Sequence, residues 1–264
     1  MKPSISVFFP CYNDAGTIGV MVMRALQVLR EVSDDYEVFV FDDGSKDDSL
    51  AILEELARAY PKEFWYRQNG KPSGYGGQIR AGLAAAKKEW FFYTDGDAQY
   101  DARELRLLVE RISDEVDVVQ GYKIKRQDPW IRILIGYAYQ YFIEFIFNLQ
   151  IRDVDCDFRL MRREIFDIVE LESTTGSITF EMIKKIQDAG YRFVEVPVHH
   201  FFRSYGSSQF FNFGRVGRTL LQVWRWWYRL VVQKEAVIKF RAKREAQVAG
   251  HKARVTADKM QAVN

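Results

Sequence analysis

Short apolar runs and amphipathic stretches alternate along the first part of the chain. An apolar run over 5–9 ends at Pro10, a polar turn follows at Asn13-Asp14-Ala15-Gly16-Thr17, and the spacing then predicts a helix over 18–30. The order repeats. A β-rich run over 37–41 meets the turn Asp42-Asp43-Gly44-Ser45, and Leu50, Leu53, Leu56 and Ala57 stand at helical spacing within 49–60. A third strand is predicted over 64–67, a glycine-rich loop over 70–77, a helix over 78–86, and a fourth strand over 90–94 that ends at Asp95.

Strands alternating with helices imply an α/β fold built on a parallel sheet. In such sheets the loops leaving the carboxyl ends of the strands form the ligand crevice. Tyr12 to Asp14, Asp42-Asp43 and Asp95 to Asp97 all fall on that edge. Further along, 102–112 reads as helix and 116–120 as strand. Asp128-Pro129 supplies a cap and first-turn proline for a long aromatic helix to about 150, with Ile131, Ile135, Ala138, Phe142, Phe145 and Leu149 on one face. Helices are predicted over 161–169 and 179–189, a strand over 193–196, and helical, aromatic, basic sequence from 212 onward.

With 264 residues, 48% of them hydrophobic, the chain can bury one substantial core, and one domain with a tail is expected. The net charge of +2 hides an asymmetry: 201–264 holds 13 Lys and Arg against 3 Asp and Glu, so the rest is acidic. Trp224, Trp226, Trp227 and Tyr228 lie among Arg218, Arg225 and Arg229, a mixture that favours a membrane surface over nucleic acid. No uncharged run reaches the roughly 18–20 apolar residues a bilayer span needs. The two cysteines, Cys11 and Cys156, are far apart, and no basic leader precedes an apolar signal core, so a cytosolic catalytic body is expected. Cys11 has no evident histidine partner and reads as packing. The adjacent His199 and His200 point to opposite faces of a strand, which favours structural roles over a metal site.

The strongest local signal is Asp95-Gly96-Asp97-Ala98-Gln99, directly after an apolar strand. Two carboxylates two residues apart can offer hard oxygen ligands to one Mg²⁺ or Mn²⁺, whose remaining shell is water and phosphate oxygen. Taken alone the segment is equally readable as a solvated turn. Asp42-Asp43-Gly44-Ser45 could bind a base edge and a ribose, or serve as a strand-to-helix turn with an aspartate cap. The glycines over 70–82 match neither a phosphate loop nor a dinucleotide fingerprint.

Together, Pro10-Cys11-Tyr12-Asn13-Asp14, Asp42-Asp43-Gly44-Ser45, Asp95-Gly96-Asp97-Ala98-Gln99, Phe158-Arg159, Phe180-Glu181, Glu195-Val196-Pro197 and Arg203-Ser204-Tyr205-Gly206-Ser207-Ser208 resemble family 2 glycosyltransferases. The likeness is to their dolichyl-phosphate mannosyltransferase and polyprenyl-phosphate glycosyltransferase branch, and covers roughly 4–213. It implies a GT-A, Rossmann-like, mostly parallel sheet flanked by helices. The catalytic domain would span 1–212, including an interfacial helix at about 129–150, and 213–264 would form a membrane-associating tail with amphipathic helices.

The resemblance further implies an inverting, metal-dependent transfer from a UDP- or GDP-linked sugar to a polyprenyl phosphate. Pro10, Tyr12, Asp14, Val40, Asp42 and Gly96 would then line the nucleotide pocket. Asp95, Asp97 and Gln99 would hold Mg²⁺ or Mn²⁺, and Lys123, Arg132 and Arg203 would meet donor or acceptor phosphate. The protein would sit peripherally on the cytoplasmic face of a membrane, without nucleic acid, and homo-oligomerisation stays open. Three positions depart from the branch: Lys123 for arginine, Gln209 for lysine, and Cys156-Asp157 for Ser-Gly. Asp157 could accordingly be a general base for a hydroxyl acceptor on a glycan or lipid, which a phosphate acceptor would not require; a buried or capping carboxylate is the plainer alternative. Nucleotidyl transfer and a non-enzymatic membrane- or nucleic-acid-binding module are the rival readings, separated by the products released.

Overall fold

The computed structural model describes residues 2–124, 130–205 and 221–246, with backbone alone for 130–133 and 135. Seven strands, β1 (Ser4–Cys11), β2 (Asp35–Asp42), β3 (Phe64–Gln68), β4 (Trp90–Tyr93), β5 (Val118–Ile124), β6 (Arg159–Arg162) and β7 (Phe193–His199), form one sheet in the order β3-β2-β1-β4-β6-β5-β7. β6 runs antiparallel to both of its neighbours, and the other pairings are parallel. The helices α1 (Ile18–Val32), α2 (Ser49–Ala59), α3 (Gly74–Ala85), α4 (Leu105–Val109), α5 (Trp130–Phe147) and α6 (Ile178–Asp188) accompany it, and further helical chain follows from 221. The expected α/β, mostly parallel architecture is what the chain adopts.

Alternation along the strands builds a core on each face of the sheet. Val7, Phe9 and Cys11 of β1 join Met21, Val22, Ala25 and Leu29 of α1 on one side. Phe8 points the other way, into rings from Phe39, Phe41 and Phe91 with centroids 5.2–6.1 Å apart. Each such side chain contributes about 1.5–3 kcal/mol on burial.

The structure corrects two predicted elements. Residues 161–169 are not a helix: Arg159–Arg162 is the antiparallel strand β6, and Arg163–Asp167 is a 3₁₀ turn. β6 lies between β4 and β5 with both faces of the sheet covered, so Leu160 and Met161 are both buried and the sequence loses the alternation that marks a strand. The glycine-rich stretch is not a loop throughout: α3 begins at Gly74. A Cβ on Gly76 would lie 2.5 Å from the Ser173 carbonyl oxygen, so the glycines let the first turn of this helix approach the 173–175 backbone.

α5 buries Gln140, Ile143 and Phe147 and exposes Leu134, Tyr137, Tyr141 and Phe145. Ala138, Phe142 and Phe145, part of the face read from the sequence, are therefore on its outer side, and Phe145 is 86% exposed. The Asp128-Pro129 cap lies outside the described residues.

The C-terminal segment 221–246 is helical, with π-helical turns at Tyr228–Val232 and Val237–Arg241. Its inner face, Val223, Trp226, Leu230, Ala236 and Phe240, enters the same core as α6. Its cations turn toward the acidic body: Arg229 pairs with Glu172 at 2.9 Å, Lys239 with Glu170 at 2.6 Å and Arg244 with Asp117 at 3.4 Å. The charge asymmetry of the sequence is thus met within the molecule along this segment. No helix among the described residues is long and apolar enough to cross a membrane.

Candidate active site

The carboxyl ends of β1, β2 and β4 bring the polar clusters together. After β1, Asn13 takes φ 56°, and its side-chain oxygen accepts from Lys46 N at 2.7 Å, while Asp14 N donates to Ser49 Oγ at 3.1 Å. These bonds tie the first loop to the second. Asp42, fully buried, accepts from the backbone and hydroxyl of Ser45. Gly96 then closes the third loop on the first: a Cβ there would stand 3.0 Å from the Pro10 carbonyl oxygen and 3.6 Å from Asp14 Oδ2.

Of the expected nucleotide residues, Pro10, Asp14, Asp42 and Gly96 therefore share one edge. Tyr12 beside them is 45% exposed, an open aromatic face. Val40 sits two residues before Asp42 on β2 and is enclosed in the core, so its side chain supports the pocket from beneath.

Asp95 and Asp97 follow β4. Ala98 takes φ 58°, and Gln99 N donates to Asp97 Oδ1 at 3.0 Å. Gln99, which the resemblance assigns to the metal, donates its amide nitrogen to the Phe201 carbonyl at 3.3 Å, and Phe201 N donates back to Gln99 O at 2.8 Å. That two-way tie anchors the chain after β7 and sets Arg203 over Asp97, where Nη2 lies 2.5 Å from Oδ2.

Asp95, Asp157, Asp97 and Asp14 form one acidic cluster. Burial, then Asp157 and Asp97, push the Asp95 carboxyl well above the usual carboxylate range. Burial raises Asp14 to about 6, with Asp97 adding to it and the Tyr12 N–H opposing. Asp157 is also raised, chiefly by burial, against the pull of Arg159. Carboxyls held this close call for positive charge.

A divalent cation suits this donor set: the oxygens are hard, and the guanidinium of Arg203 already places a cation on Asp97. No group of three or more His, Cys, Asp or Glu among the described residues is arranged to hold a metal. Two carboxylates completed by phosphate and water is the arrangement Mg²⁺ commonly takes.

Other expected residues are placed differently. Lys123 is drawn inward, with its ammonium 3.3 Å from Asp153 Oδ1 and donating to the Asp155 carbonyl at 2.9 Å. Arg132 lies on α5, and its side chain falls outside the described residues, as do Gly206 to Gln209. His199 pairs with Glu104 at 2.5 Å, while His200 is buried against Tyr100, as their opposite faces imply. Cys11 and Cys156 are buried thiols, both raised by burial to about 12 and so unsuited to nucleophilic work.

Tyr75 and Tyr93, which motif reading passed over, complete the site with Arg159 of the Phe158-Arg159 segment. Tyr75 donates to Asp95 Oδ1 at 2.9 Å, Tyr93 donates to Asp157 Oδ1 at 3.2 Å, and Arg159 Nη1 donates to Tyr93 Oη at 2.5 Å. Arg159 is wholly buried, and also donates to Gln120 Oε1 at 2.7 Å and to the Val154 carbonyl at 2.6 Å. Its place in the Phe158-Arg159 motif was the one signal available.

Comparison with known proteins bears on this geometry. A sequence model of "Glycosyl transferase family 2" matches residues 6–169. The fold is similar to glucosyl-3-phosphoglycerate synthase from Mycobacterium tuberculosis with Mn²⁺, UDP and phosphoglyceric acid: TM-score 0.64, 16% identity, 86% of this chain and 78% of that one. The same enzyme with Mn²⁺, UDP-glucose and phosphoglyceric acid gives a TM-score of 0.61 at 15% identity, over 86% and 79% of the two chains. With Mg²⁺ and UDP it gives 0.61 at 16%, over the same shares. At these identities the likeness establishes the fold.

Proposed function

The chain belongs to glycosyl transferase family 2, and from that membership we propose that it transfers a sugar from a nucleoside diphosphate sugar to a polyprenyl phosphate, with inversion at the anomeric carbon. This is the reaction of the dolichyl-phosphate mannosyltransferase and polyprenyl-phosphate glycosyltransferase branch it resembles. The observation that carries the donor half is the meeting of Asp14, Asp95, Asp97 and Arg203 on one sheet edge. UDP with Mn²⁺ or Mg²⁺ in the similar structures supports a UDP-linked donor and a divalent ion.

In this reading Tyr12, Asp14 and Asp42 hold the nucleoside, and Asp95 and Asp97 hold Mg²⁺ or Mn²⁺. The ion, when bound, supplies Lewis-acid stabilisation of charge on the diphosphate leaving group. Arg203 turns from Asp97 to the phosphates and adds positive charge there. An acceptor phosphate oxygen attacks the anomeric carbon from the face opposite the diphosphate. The new C–O bond forms as the bond to the diphosphate breaks, and nucleoside diphosphate leaves. The chain's own contribution is alignment and electrostatic stabilisation.

The acceptor half is supported by α5, whose outer face carries Leu134, Tyr137, Tyr141 and Phe145 in one stripe. Apolar and aromatic residues on one face of a helix suit the headgroup boundary of a bilayer. We place the catalytic unit at 1–212 and the membrane-associating tail from 213, its 221–246 part packed on the catalytic core, with the protein peripherally attached on the cytoplasmic side.

A second reading rests on Asp157. Its raised carboxyl stands in the Asp95 cluster, where it could take a proton from an attacking hydroxyl on a glycan or lipid. Release of nucleoside diphosphate from UDP and GDP sugars, with Mn²⁺ or Mg²⁺ and with or without polyprenyl phosphate, tests both. Stimulation by the lipid supports the first reading, metal-dependent release without stimulation supports the second, and no release from any donor removes both.

A further inference from the structure

Tyr75 stands between two glycines at the first turn of α3, and its phenol meets Asp95 Oδ1 at 2.9 Å. Asp95 leaves the end of a four-residue strand, and rotation of its side chain would carry the carboxylate out of register with Asp97. Among the described residues, Tyr75 supplies the hydrogen bond which that carboxylate accepts. The neighbouring donors are engaged elsewhere: Tyr93 donates to Asp157, and Arg159 to Tyr93, Gln120 and Val154.

The backbone of Tyr75 is fixed from outside. Gly74 takes φ +75°, a Cβ on it would meet the Thr174 carbonyl oxygen at 2.6 Å, and Gly76 N donates to the same oxygen at 3.2 Å. The facing turn is itself clamped, because Glu181, fully buried on α6, accepts from Glu172 N at 2.8 Å and Ser173 N at 2.9 Å. Thr175 Oγ1 then donates to Gln222 Oε1 at 2.7 Å, which ties the turn to the C-terminal segment.

We propose that Tyr75 is a positioning residue for the divalent cation: its O–H holds one oxygen of Asp95 and turns the other toward the ion. The inference rests on the reading of Asp95 and Asp97 as the metal carboxylates. Hydrogen bonds to a ligating carboxylate orient it, and losing one commonly costs metal affinity.

The test is Mn²⁺ titration of the full chain by calorimetry, at saturating UDP or GDP, whichever the wild type binds. Tyr75→Phe keeps the ring and deletes the donor; a rise in the Mn²⁺ dissociation constant of about 10-fold is expected. Nucleotide affinity in metal-free buffer and the circular dichroism spectrum should match the wild type. Tyr36→Phe deletes a phenol at the amino end of β2, the sheet edge opposite the site, and should leave Mn²⁺ affinity unchanged. Equal Mn²⁺ affinity in Tyr75→Phe and wild type overturns the proposal, as does an equal loss in both variants, which would mean general loosening of the site. A wild type that takes up no Mn²⁺ with either nucleotide overturns the metal reading itself, and this inference with it.

Discussion

Arg203 places both Nε, at 3.2 Å, and Nη2, at 2.5 Å, on one oxygen of Asp97. A guanidinium so placed competes with any cation for that oxygen, yet its charge is also what a diphosphate leaving group requires. Arg203→Ala should therefore separate two measurements. Mn²⁺ affinity without nucleotide should rise or hold in titration, while turnover should fall by about 100-fold, the scale of losing one charge-stabilising donor. Loss of both together would place Arg203 outside the leaving-group role.

Asp95→Ala and Asp97→Ala should each lower transfer by about 1000-fold or more, since a Lewis acid stabilises the leaving charge by several kcal/mol. Circular dichroism should remain that of the wild type. Chelation should have the same effect, reversed by added Mn²⁺ or Mg²⁺. Metal-dependent turnover at the wild-type rate in either variant would remove these residues from the site.

Asp157→Asn distinguishes the acceptors. With a phosphate acceptor the variant should keep transfer within about 10-fold, because the attacking oxygen carries its own charge. With a hydroxyl acceptor, loss of a general base should cost about 100-fold or more. Comparing initial rates on the true acceptor decides between them.

Glu172 is held at about 2 by the Arg229 guanidinium, with Lys185 assisting. Its folded value lies below the unfolded one, so the pair's stabilisation is present above about 4.5 and is lost as pH falls toward 2. Glu172 is partly exposed, and screening reduces the pair to about 1 kcal/mol. Glu172→Gln should lower the unfolding free energy at pH 7 by that amount in urea denaturation, with the difference from wild type closing in acid.

Gly76→Ala should destabilise the chain by about 1–3 kcal/mol through overpacking. The new Cβ would press on the backbone of Ser173, Thr174 and Thr175, none of which is the far end of a flexible side chain. Urea denaturation measures the loss, and an unchanged midpoint would mean that the turn yields.

The amino-acid sequence by itself determined the strand-helix alternation, the parallel sheet and the edge on which Asp14, Asp42, Asp95 and Asp97 meet. These follow from local periodicity and from where turns must fall, and both are written in neighbouring residues. It did not reveal β6, because a strand buried on both faces carries no alternation and its pairing with β4 and β5 depends on residues more than thirty positions away. Nor did it reveal which face of α5 would be buried, since a helix apolar nearly all round has no preferred side until the core is assembled.

The same division runs through the site. Asp95 and Asp97 were legible as a spaced carboxylate pair, whereas Tyr75 is an ordinary aromatic residue in a glycine-rich stretch until packing against Ser173 and Thr174 brings its hydroxyl to Asp95. The basic C-terminal sequence shows its charge but not its counter-charges. Only the tertiary structure seats Arg229 on Glu172 and Lys239 on Glu170, because long-range pairing is set by the shape of the assembled body and not by the order of residues along the chain.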